Sequence, residues 1–397
     1  MNQISSPLSF ITLAMQHAER GEWSIARALL EYAEAVPRDR QAARFLLWEV
    51  CQALGDTGAG VAYLRAAVAE TPLTHRQAPS PQRRVLVLNT PGDFQANLPV
   101  ALLLDTATTD LHTLWLHDPA MIAADPNPLL AALPEIDCVV IAIAEDFRHL
   151  DALRVAGLLA DRIAKPVINP GHRIAATGRD AAAALLRDIA GTIVPDQILI
   201  RRAQLVDQTR FPAIIRPRHS HAGTGLARIA DQNDLRRYLA DNSAENEFFV
   251  APFIDYRSKD GLWRKFRVVF VDGIALPFHM AIHDDWAIWY YNAGMGRDAS
   301  KRAEEARFLT NFSAVFPPQA MRALEAITDR IGLDYFGLDC GLMPDGTLVV
   351  FEVETGMIVH DRPEGELFAY RQLPARRIVT AFTAMIDARI AAGPFRR

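Results

Sequence analysis

The segment from Phe336 to Thr355 constrains this chain more than any other. It reads as two strands joined by a turn, with Met343-Pro-Asp-Gly346 as the connection and Asp-Gly as the turn chemistry. Alternate residues of a strand share a face, so Glu352 and Glu354 point one way. Asp339, on the paired strand, can sit across from them. Three carboxylates on one sheet face repel each other unless a cation holds them together. Oxygen-only ligands suit Mg²⁺, so Asp339, Glu352 and Glu354 are expected metal ligands. The alternative is a solvated acidic face, but the apolar neighbours Val349, Val350, Phe351 and Val353 make the strand half-buried and favour the metal.

A chain of 397 residues has room for two or three domains, and an apolar fraction of 50% is ample for packed cores. A net charge of −5 gives no bulk electrostatic case for nucleic acid or an anionic membrane. Cys51, Cys138 and Cys340 are scattered, with neither metal spacing nor a disulfide framework. No basic segment followed by an apolar run opens the chain, and no stretch is long and apolar enough for a bilayer. A soluble, cytoplasmic protein is the expectation.

Three regions follow from the patterning. Residues 1–75 are helical and Ala- and Leu-rich. Gly21 recurs as Gly55, Ala28 as Ala62 and Ala33 as Ala67, each at an offset of 34 residues, the tetratricopeptide period. Two such units are too few for a free-standing solenoid, so they are expected to cap the next domain or to form a homodimer surface. Residues 76–83 read as a polar, Pro-bearing linker. In residues 84–170 the apolar runs near Arg84, Leu111, Cys138 and Pro166 fit buried strands of a small doubly wound parallel sheet. The loop Thr90-Pro-Gly-Asp93 lacks the glycine pattern of dinucleotide binding. Residues 171–397 form the largest unit. Thr177 is expected to open a helix whose cap Asp180 completes.

Within that unit, Phe211 to Ile229 reads as strand, small-residue loop, strand. Gly223, Thr224 and Gly225 would let backbone amides approach phosphate oxygens, with Arg216 adding a fixed charge. An ordinary flexible hairpin is the alternative for such a loop alone. Strands are also expected at Gln197–Ile200, from Glu247 and on both sides of Asp272-Gly273, with Lys265 and Arg267 on one face. A helix is expected over Pro318–Ile331.

The order of these motifs over about residues 84–390 resembles the ATP-grasp superfamily, most nearly the glutathione synthetase type of carboxylate–amine ligase. The resemblance implies an α/β fold, ATP and Mg²⁺ as cofactors, and roles for individual residues. Arg216 stands where the family places a phosphate-contacting lysine. The earlier lysine falls at Arg202, with Arg179 as the alternative. Adenine would meet backbone groups between Phe249 and Ile254, with Val250, Ala251 and Phe253 as contacts. Arg267 matches a strand arginine near the γ-phosphate and the substrate carboxylate, and Asn292 an asparagine before a small-residue loop. Asp339 and Glu352 match the metal carboxylates, and Glu354 replaces the usual Asn. Tyr290 or Tyr291 stands where the family has a further arginine.

The implied reaction is phosphoryl transfer to a small-molecule or peptide carboxylate, followed by attack of an amine on the acylphosphate. A phosphotransferase on the same fold and a catalytically degenerate binding module are the alternatives. The stretch from His279 to Tyr291 either lines the substrate cleft or packs as an aromatic loop. His219 and His221 either meet phosphate or are exposed, and His360 is a candidate for the nucleophile side.

Overall fold

A computed structural model describes residues 9–220, 223–289, 292–362 and 365–393. The chain gathers into two compact units. One runs up to Ala101 and through Asp105–Val167, and the other comprises Leu102–Leu104 and Ile168–Ala391. The architecture is mixed α/β.

The first unit begins with four helices, α1 (Phe10–Glu19), α2 (Trp23–Glu34), α3 (Arg40–Ala53) and α4 (Thr57–Glu70). Helices α1 and α3 end, and α2 and α4 begin, at the offset of 34 residues read from the sequence. The two turns repeat their hydrogen bonds as well: Glu22 N donates to His17 O at 2.9 Å and Asp56 N to Cys51 O at 2.8 Å. Small and branched apolar residues at helical spacing, among them Ala26, Leu30, Ala33, Ala43 and Leu47, close the core between them. Strands β1 (Leu73–Arg76), β2 (Arg83–Asn89), β3 (Thr109–Trp115), β4 (Cys138–Ile141) and β5 (Val167–Ile168) form a sheet ordered β1-β3-β2-β4-β5. Its centre is parallel, and Leu64 and Val68 of α4 pack on Trp115. The polar segment read as a linker starts inside a strand: β1 pairs antiparallel with β3 along one edge. A four-residue strand with three polar members leaves no period long enough to see in the sequence.

The second unit holds β6 (Thr192–Ile193), β7 (Ile198–Arg201), β8 (Ala213–Pro217), β9 (Ala227–Ile229), β10 (Glu247–Pro252), β11 (Trp263–Val271), β12 (Ile274–His283), β13 (Tyr335–Leu342) and β14 (Leu348–Glu354). Strands β7-β10-β8-β9 make one antiparallel sheet. The helix Gln232–Asp241 covers it through Leu235 and Tyr238, which join Ile215 and Phe248 in one cluster. Strands β12-β11-β13-β14-β6 make the other sheet. Phe266 of β11 meets Phe308 and Phe316 at 5.1 and 5.0 Å between ring centres. The helix expected over Pro318–Ile331 has those limits, with proline in its first turn and Gly332 in the left-handed conformation after it.

The helix after Thr177 starts differently from expectation. It spans Arg179–Leu186 from an N-cap at Gly178 with no side-chain cap. Thr177 Oγ1 instead donates to Ile174 O at 2.8 Å, closing the preceding short helix, and Asp180 accepts from its neighbour Ala181.

At its outer margin β12 carries Pro277 and a bulge opposite Arg267/Val268. The helix Ala299–Thr310 packs on this strand. Glu305 Oε1 accepts from Met280 N at 3.2 Å, and Lys301 Nζ donates to Ile282 O at 2.8 Å.

Candidate functional site

Register places the charged residues of the second unit in a row. Arg267 on β11 lies opposite His279 on β12 and opposite Asp339 on β13, and Asp339 lies opposite Glu352 on β14. Glu354 lies opposite Gly337, on the face shared by Glu352. The hairpin geometry expected from the sequence is therefore present, with its turn closed by Met343 N donating to Thr347 O at 2.9 Å.

Each carboxylate meets different partners. Asp339 is 3% exposed. Its Oδ1 accepts from Arg267 Nε at 2.7 Å and its Oδ2 from Arg267 Nη2 at 2.9 Å, while Lys265 Nζ lies 2.6 Å from Oδ2. Burial alone would favour the protonated acid, but Arg267 and Lys265 together outweigh it and hold the carboxyl far below the usual range. Glu352 is paired with Arg179. Burial again opposes its charge, and Arg179 and Arg216 overcome it. Among the described residues no cation pairs with Glu354; its Oε1 accepts from Gly356 N at 3.0 Å. Burial, then repulsion from Glu352, push its carboxyl up to about 7.

Gly337 makes room for the chain that leaves β14. A Cβ there would lie 2.0 Å from the end of Met357 and 2.9 Å from that residue's own Cβ. Tyr335, two residues earlier on the same face, donates its hydroxyl to Met357 O at 2.7 Å.

Arg216, one residue before the end of β8, is a buried cation. Its Nε donates to Ser220 Oγ at 3.1 Å and a second nitrogen to Ser220 O. Burial, then the nearby Arg179, bring its pKa down to about 10, so its charge persists at neutral pH. The glycine loop that follows is tightly held. Gly225 has φ +65°, a Cβ there would lie 2.7 Å from Pro217 Cδ, and Tyr238 donates to Gly225 O at 2.7 Å. Thr224 is exposed, and the Trp289 indole lies against Gly223.

Of the two arginines considered for the earlier ATP contact, Arg179 is the one brought to the carboxylates. Arg202 donates to Asn242 O at 2.8 Å, Glu245 O at 3.0 Å and Leu239 O. Those carbonyls lie at and just beyond the C-terminal end of the helix Gln232–Asp241, where a cation is favoured. Val250 sits inside the ladder between β7 and β8, whereas Ala251 and Phe253 lie beyond the paired part of β7. Phe253 packs edge-on against Trp263 and Trp286, with the Arg228 guanidinium 4.1 Å from its ring centre. Trp286 thus belongs to packing, and Trp289, 42% exposed, to the loop surface. Asn292 donates to Ala287 O at 2.6 Å and accepts from Trp289 N at 3.0 Å, which ties that loop to itself. Tyr290, Tyr291 and His221 lie outside the described residues.

Sequence reasoning left Lys265 and a buried network off the site. Glu305, fully buried, accepts from His279 Nδ1 and Tyr370 Oη at 2.5 Å each and from Arg371 Nη2 at 2.7 Å. The shared face of Lys265 and Arg267 was the available signal for the lysine. Glu305 sits in a helix of ordinary charged composition, where nothing marks it.

The donors Asp339, Glu352 and Glu354 are all oxygen, the ligand type that Mg²⁺ takes, but their ligand atoms do not all lie within 4.8 Å of one another.

No protein-family model matches the chain, and no curated protein does. Solved structures overlay at low similarity. A D-alanine–D-alanine ligase from Coxiella burnetii is 12% identical with a TM-score of 0.47, covering 78% of this chain and 97% of that one. The VanG D-Ala:D-Ser ligase from Enterococcus faecalis gives 14% and 0.44, covering 78% and 98%. An ATP-grasp RimK domain protein from Sphaerobacter thermophilus gives 18% and 0.45, covering 78% and 99%. At these values the likeness adds nothing to the chemistry read from the side chains themselves.

Proposed function

We propose that the chain is an ATP- and Mg²⁺-dependent ligase of the ATP-grasp type that joins a carboxylate to an amine. The observation that carries this reading is one sheet face on which Lys265 and Arg267 pair with Asp339 and Arg179 pairs with Glu352, with the Arg216 charge near Glu352 and Glu354 beside it. Glu352 and Glu354 would hold Mg²⁺, joined by Asp339; the ion supplies charge neutralisation for the phosphates.

The chain's own groups do the rest. Arg267 and Lys265 rest on Asp339 and turn to phosphate oxygens when ATP enters, which frees the aspartate. Arg216 stays fixed by Ser220 and offers charge at the foot of the glycine loop, whose amides follow the phosphates. Catalysis is then positioning plus stabilisation of developing charge. An oxygen of the acid substrate takes the γ-phosphoryl group, releasing ADP. The amine then attacks the acyl carbon and phosphate leaves.

The full pairing of Asp339 favours a second reading, a binding module that no longer turns over ATP. Calorimetric titration of ATP with Mg²⁺ into wild type and Glu352→Ala separates the two. Binding in the wild type that is lost in the variant, followed by amine-dependent ADP release, supports the ligase. ADP release with phosphate retained on the product supports a phosphotransferase, and absence of binding supports the module.

A further inference from the structure

The first unit carries a cluster that the proposed reaction does not use. His75 on β1 and His112 on β3 lie directly opposite each other on antiparallel strands. Asp110, two residues before His112, shares its face. The two imidazole rings stack at 4.1 Å between centres with 8° between planes. His75 Nε2 lies 3.7 Å from Asp110 Oδ1. One ligand atom from each of the three residues falls within 4.8 Å of the others. We propose that His75, Asp110 and His112 form a binding site for a divalent first-row metal of the zinc class.

The chemistry suits such an ion. Two imidazoles and one carboxylate are a borderline nitrogen–oxygen set, which Zn²⁺ prefers and Mg²⁺ does not. Tetrahedral ligands at about 2.0–2.1 Å from one ion stand about 3.3 Å apart, so the three atoms need to close in by at most about 1.5 Å. The parts are arranged to allow that. His112 is held at 7% exposure, and Asp110 is oriented by Ala78 N donating to its Oδ1 at 2.7 Å. His75 is exposed and free to swing its ring onto a shared ion. Arg84, in register beside Asp110, is a like charge toward His112, and it is paired with Asp137 at 2.8 Å and with Glu135. A bound ion would clip the edge strand β1 to the sheet.

The test is titration of Zn²⁺ into the full-length, untagged protein in millimolar Mg²⁺, which occupies the carboxylate site of the second unit. A single equivalent is expected in the wild type. His75→Ala removes an exposed ring and should weaken binding at least about tenfold, with Asp110→Asn weakening it as well. The same titration should raise the unfolding temperature of the wild type and leave that of His75→Ala unmoved. Equal Zn²⁺ affinity in wild type and His75→Ala overturns the site. So does no uptake by the wild type, or uptake that Glu352→Ala abolishes and His75→Ala does not.

Discussion

Glu354 is the residue whose energetics are least satisfied in the site. Its pKa of about 7 means that the folded protein holds this proton more tightly than the unfolded chain does. Stability from this group is therefore complete below the ordinary glutamate range and is lost as pH rises through 7. Glu354→Gln removes the repelled charge and keeps the shape. In a chelator at pH 8 it should be more stable than the wild type, on the order of 1–3 kcal/mol, and the gain should vanish near pH 4. Thermal unfolding across that range measures it, and a variant less stable than wild type at pH 8 would refute the assignment. The same variant is expected to lose Mg²⁺-dependent ATP binding.

At the scale of the element, the glycine loop offers a sharper contrast. Gly223 and Gly225 both have positive φ, but only Gly225 lies hard against another ring, that of Pro217. Gly225→Ala meets both strain and overlap and should cost about 1–3 kcal/mol, with ATP affinity falling as the loop lifts from Arg216. Gly223→Ala meets strain alone and should cost less; denaturant unfolding of the pair ranks them. The elements themselves differ in how far the sequence displays them. The carboxylate hairpin is legible because alternation and a turn signal coincide, and the helix Pro318–Ile331 because proline and glycine mark its two ends. The β1 strand is not, since its pairing depends on a partner 39 residues away. The choice of Arg179 over Arg202 is equally hidden. It turns on a contact between residues 173 positions apart, and on a helix end that needs a cation of its own. Asn292 and Glu305 show the same limit, because a loop tie and a buried hub have no sequence period.

For the whole molecule, two compact units imply two cooperative transitions rather than one. Mg²⁺ with ATP should raise the transition of the unit that contains Ile168–Ala391, and Zn²⁺ that of the unit that contains Asp105–Val167. Differential scanning calorimetry with each ligand in turn checks this. A single transition that both ligands shift equally would show the units to unfold as one. No helix among the described residues is long and apolar enough to cross a membrane. Strand β12 is the long margin of the site sheet, and a ten-residue free margin invites another chain to add a strand. Its inner half is already taken, because Glu305 and Lys301 bond the main chain at Met280 and Ile282. Its outer half lacks a donor at Pro277 and is bent by the bulge. Replacing that proline by valine would restore the missing donor on the outer half, and the consequence would be felt during expression, as self-association and inclusion bodies.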